Sequence, residues 1–125
     1  MERDEQLERG RALFDGGRYF EAHEVWEEVW HGERGESRTA LQGLIQIAAA
    51  LHKSALGQHR GCVRLLEAGL SKLKRPDLEP QLLRFAAALE NTLERARGWE
   101  RGETEGPGMI PILGPWKGGD FVRRS

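Results

Sequence analysis

A chain of 125 residues, 38% hydrophobic and 31% charged, has the size and composition of one globular domain. Nineteen basic against twenty acidic side chains leave it near neutral, without the field that draws a protein onto nucleic acid or an anionic membrane, so neither is expected as a partner. Cys62 stands alone, which excludes an internal disulfide and any Cys-x-x-Cys site; with no charged start followed by an apolar run, and no stretch of about 18 apolar residues, a cytoplasmic setting is expected.

The first predicted helix covers about residues 2–14, with Leu7, Leu13 and Phe14 on a weak apolar stripe and Asp15-Gly16-Gly17 as its stop. A second, over residues 19–31, repeats Ala22, Val25, Trp26, Val29 and Trp30 at helical spacing before Gly32 and Gly35. The third should begin at a Ser37 N-cap and run through Leu41, Leu44, Ile45, Ala48, Leu51 and Ala55 to a cap at Gly57. Because Ile47, Ala49 and Ala50 extend its apolar surface around most of the circumference, this helix is expected at the centre. A fourth helix over residues 59–74 turns Cys62, Leu66, Leu70 and Leu73 inward, and a fifth over residues 78–97 does the same with Leu82, Ala86, Leu89, Leu93 and Ala96.

Short connections favour antiparallel neighbours, so the expected fold is all-α: a bundle of about five antiparallel helices over residues 1–98. From Gly98 onward, seven glycines and three prolines in twenty-eight residues read as an irregular tail, residues 99–125. Its segment Met109-Ile110-Pro111-Ile112-Leu113-Gly114-Pro115-Trp116 is too apolar for a free linker, and is expected to lie on the bundle or on a partner subunit. An echo at about forty residues sets Gly17, Ala22 and Trp26 against Gly57, Cys62 and Leu66, suggesting two stacked helical hairpins.

With about 100° of rotation per residue, His23, Glu27 and Trp30 share one narrow face of the second helix, at the border between its apolar and charged sides. An imidazole and a carboxylate one turn apart suit a shared divalent metal ion. Two ligands do not hold a metal, and the best third donor is His52, which projects from the apolar face of the third helix. Tyr19, Trp26 and Trp30, with Gln42 and Gln46 one turn apart on the third helix, are the expected lining of a common pocket. The divalent ion is the one cofactor the residues suggest, and a small polar ligand is the other candidate occupant.

The plain reading of the same residues is a buried hydrogen-bonded pair locking the second helix to the third, in a protein-interaction module that self-associates as a homo-oligomer through apolar helix faces and tail. An enzyme is a further reading, with an ion beside Glu24 or Glu27 activating water; the residues name no substrate. Glu28-x-x-His31 has the spacing of di-iron bundles but no second copy, and is expected at the surface. Cys62 lies on an inward position where thiols are usually inert.

The run Phe14-Asp15-Gly16-Gly17-Arg18-Tyr19-Phe20-Glu21-Ala22-His23-Glu24-Val25-Trp26-Glu27-Glu28-Val29-Trp30, with Leu41-Gln42-Gly43-Leu44-Ile45-Gln46 and His52, resembles the prokaryotic Domain of Unknown Function 309 family. The resemblance covers roughly residues 10–75, and the family's His-x-x-x-Glu-x-x-aromatic signature is matched by His23, Glu27 and Trp30. It implies a compact helical fold and a suspected metal site, and supplies no reaction.

Overall fold

The glycines that punctuate the sequence set the architecture. A computed structural model describes residues 2–123 and contains α1 (Arg3–Asp15), α2 (Tyr19–Gly32), α3 (Gly35–Ala55), α4 (His59–Lys72) and α5 (Pro80–Glu100). Among the described residues there is no β-sheet, only one isolated antiparallel bridge between Leu78 and Val122. Each helix packs against the next in chain order, giving a five-helix all-α bundle.

The forty-residue echo reappears in the turns. Gly17 and Gly57 both take positive φ, 81° and 75°, a region that costs glycine nothing. At the first, Gly17 N–H donates to Phe14 O and Arg18 N–H to Leu13 O; at the second, Gly57 N–H donates to Ser54 O and Gln58 N–H to Lys53 O. These are matching Schellman ends, which satisfy carbonyls the helix leaves unpaired. Each is followed by a helix of 14 residues whose inward positions, Ala22 and Trp26 in α2 and Cys62 and Leu66 in α4, are buried.

As its nearly all-round apolar surface demands, α3 lies between α2 and α4 and buries Ala40, Leu41, Leu44, Ile45, Ile47, Ala48, Ala50 and Leu51. Its crossing with α4 is close because both helices carry glycine at the contact. A Cβ on Gly43 would stand 2.9 Å from Gly69 O, and one on Gly69 would stand 2.7 Å from Gly43 O.

Two helix starts differ from the sequence expectation. Ser37 does not cap α3, which begins two residues earlier at Gly35; the Ser37 hydroxyl instead accepts the Phe121 amide at 3.4 Å. The start of α5 falls at Pro80, where the missing N–H is harmless, while Leu78 and Glu79 pair with the chain near Phe121 and Val122.

The segment after α5 lies across α1 and the start of α5. The Asp15 carboxylate accepts the amides of Leu113 and Gly114 at 2.7 and 2.9 Å, and Glu8 accepts that of Trp116 at 2.7 Å. The Gln81 amide donates to the carbonyls of Leu113, Gly114 and Pro115. Leu113 and Phe121 are buried in the core, whereas Met109 is 95% and Ile112 66% exposed. Side chains of α1 and α5 thus supply the backbone partners that an irregular segment cannot find within itself.

Candidate functional site

The inward faces of α2 fix where its polar residues stand. Trp26 is buried, stacks on Phe14 at 5.7 Å and donates its indole N–H to Leu7 O at 3.2 Å, so it is a core residue serving the α1–α2 contact. Tyr19 meets Phe14 edge to face at 5.2 Å, and burial pushes its hydroxyl above the usual tyrosine range. At the far end of α2, Trp30 donates to Arg38 O at 3.1 Å, and the Arg38 guanidinium lies 3.7 Å from its ring centroid. These anchors orient the helix so that His23 and Glu27 sit on its outer shoulder, with side chains 25% and 43% exposed.

Both nitrogens of His23 face a carboxylate. Nε2 is 3.2 Å from Glu27 Oε2 and Nδ1 is 3.1 Å from Glu24 Oε1. One donor atom from each of His23, Glu24 and Glu27 lies within 4.8 Å of the other two, a spacing a metal ion can bridge. Among the described residues neither carboxylate forms an ion pair with lysine or arginine, and α2 contains four glutamates with no lysine or arginine of its own. A neutral imidazole has one N–H. With that proton on one carboxylate, the other nitrogen faces the second carboxylate with its lone pair.

Of the residues expected here, the structure brings His23 and Glu27 together and does not place His52 in their donor group. His52 meets the Phe20 ring at 5.2 Å, and Phe20 in turn lies 6.4 Å from the His23 ring, nearly parallel to it. Gln46 accepts Lys72 Nζ at 2.7 Å across the α3–α4 contact, and Gln42, one turn before it, is partly buried. Hollows of about 470 and 530 Å³ occur elsewhere, the first between Arg3, Glu33 to Ser37 and Asp120, the second between Pro80, Arg84 and Trp116 to Gly118. Glu28 and His31 are exposed.

Glu24 stands nearer the centre of the site than sequence periodicity places it. Residues adjacent in a helix do not face each other, so Glu24 falls on the wet side of a helical projection. The His23 ring is long enough to span the angle, and the His23-Glu24 dipeptide is the only sequence signal of that contact. Phe20 lies three residues before His23 and is 53% exposed, an aromatic ring that the core does not use.

The family model described as Domain of unknown function (DUF309) matches residues 7–65, which hold most of α1, all of α2 and α3, the whole cluster and the first half of α4. No curated protein and no solved structure matches the chain.

Proposed function

We propose that α2, which lies within the stretch 7–65 matched by the DUF309 family model, is a divalent-metal-binding helix, with His23 Nε2 and Glu27 as ligands and Glu24 as the group that orients the ring. The observation that carries this reading is the carboxylate on each side of one imidazole. Nδ1–H donating to Glu24 fixes the tautomer, which turns the Nε2 lone pair toward Glu27. A carboxylate behind a metal-binding histidine raises its basicity and holds its plane. The mixed nitrogen and oxygen donors suit zinc or manganese.

The plain alternative, a pair that locks α2 onto α3, has less support from the geometry. Both His23 contacts are made within α2, to the next residue and to the residue one turn on, and the side chains are partly exposed. A bond inside one helix does not tie that helix to another. The His52 ring packs on Phe20 and lies outside the donor group.

The test is calorimetric titration of tag-free protein with zinc chloride and with manganese chloride. The expected result is saturable binding, lost in His23→Ala and Glu27→Ala and weakened roughly 10- to 100-fold in Glu24→Gln, the usual range for an outer-shell partner. Equal binding by wild type and His23→Ala would contradict the reading.

Self-association through the tail is the second reading, favoured by the exposure of Met109 and Ile112. The double variant Met109→Ser, Ile112→Ser leaves the buried Leu113 and Phe121 in place. If the tail drives assembly, this variant sediments as a smaller species than wild type at equal concentration.

A further inference from the structure

Resting on the metal reading, we infer that the ion is completed by a second copy of this chain, with two α2 helices crossing antiparallel so that each supplies His23 and Glu27. One chain offers two inner ligands on the outer shoulder of a helix, and tetrahedral zinc needs four. His52 packs its ring on Phe20 and lies outside the donor group. The set is therefore half of a site.

The spacing of α2 is self-complementary. Phe20, His23, Glu27 and Trp30 follow one another at three, four and three residues, the seam pattern by which two helices pair. His23 and Glu27 are equidistant from Val25, and so are Phe20 and Trp30. In an antiparallel pairing centred at Val25, His23 of one copy therefore faces Glu27 of the other, and Phe20 faces Trp30. Two imidazoles and two carboxylates meet at the centre, with one aromatic pair covering each end. The 53% exposure of Phe20 and the 56% exposure of Leu56, one turn beyond His52, are the apolar surface such a pairing covers.

The same helix explains why the ion is required. Glu21 is paired with Arg18, but Glu24 and Glu27, which meet no lysine or arginine among the described residues, would bring like charge against like charge when two copies approach. A dication at the centre offsets that repulsion, and without it the pair separates.

Sedimentation velocity and calorimetry with zinc chloride on the tag-free chain read both parts. The expected result is one zinc per two chains with a doubling of molar mass, reversed by chelator and absent in His23→Ala. Phe20→Ser, which removes no donor, should weaken the zinc-loaded dimer by about tenfold or more, as loss of a buried aromatic does at an interface. Zinc bound one per chain without change of mass overturns the shared site and leaves the metal reading standing. So does loss of zinc binding in His52→Ala, which would give the open position to His52. A dimer that persists in chelator and in His23→Ala also overturns it. A chain that takes up neither zinc nor manganese removes the metal reading itself.

Discussion

His23 has a carboxylate oxygen close to each ring nitrogen, and a single ring proton can serve only one of them. That pairing with two carboxylates sets His23 apart from the exposed His31. Elsewhere single residues do plainer work. Cys62 is fully buried, and burial pushes its thiol up to about 11. The native protein should therefore react with an aromatic disulfide reagent at pH 8 only as fast as it unfolds, and rapid reaction would show the α4 face to be open. Because the folded thiol holds its proton above the usual cysteine range, its contribution to stability is intact below that range and falls as pH rises toward 11. Gly10 makes the opposite kind of demand. A Cβ there would stand 2.2 Å from Trp26 Nε1, so Gly10→Ala should cost about 1–3 kcal/mol through overpacking despite the better helix propensity of alanine. Gly32→Ala, with open space at its Cβ, should leave the urea midpoint nearly unchanged.

At the scale of elements, the apolar periodicities of α2, α3, α4 and α5 each carry a helix within a few residues of its expected span. Glycine turns were legible too, since Gly17 and Gly57 stop helices by a backbone property that needs no tertiary context. The start of α3 was not. Ser37 looks like a cap by type, but residues far along the chain claim its hydroxyl, and no local pattern announces a contact with Phe121. The site divides in the same way. His23 and Glu27 follow from helical spacing, while Glu24 enters through the reach of one ring, and the packing of His52 on Phe20 depends on how α2 and α3 lie together. The two glutamines share a flank of α3, yet Gln46 serves the α4 side, because a helix packed on several sides has more than one polar border.

The whole molecule is a bundle whose C-terminal segment is bound much as a peptide ligand would be, by side chains reaching for its backbone. Composition revealed that this segment is irregular and apolar; it could not reveal that Glu8, Asp15 and Gln81 hold it. A pH dependence follows. Hydrogen bonding from Arg11 first, and from the Trp116 amide as well, holds the Glu8 carboxyl below its usual range. The stabilisation from that carboxylate is present above the usual glutamate range and is lost as pH falls through the depressed value. Amide exchange at Trp116 should thus speed up in acid, beyond the intrinsic pH effect, before the α3 amides lose protection. Simultaneous loss across the chain would show that the segment and the bundle open as one unit. No described helix is long and apolar enough to cross a membrane.

The most direct measurement is the imidazole nitrogen spectrum of labelled protein with and without zinc. Before zinc, His23 should show its proton on Nδ1, and on titration its Nε2 signal should shift while those of His31 and His59 stay in place. A spectrum in which His23 is unmoved by saturating zinc would contradict the assignment of α2 as a metal-binding helix.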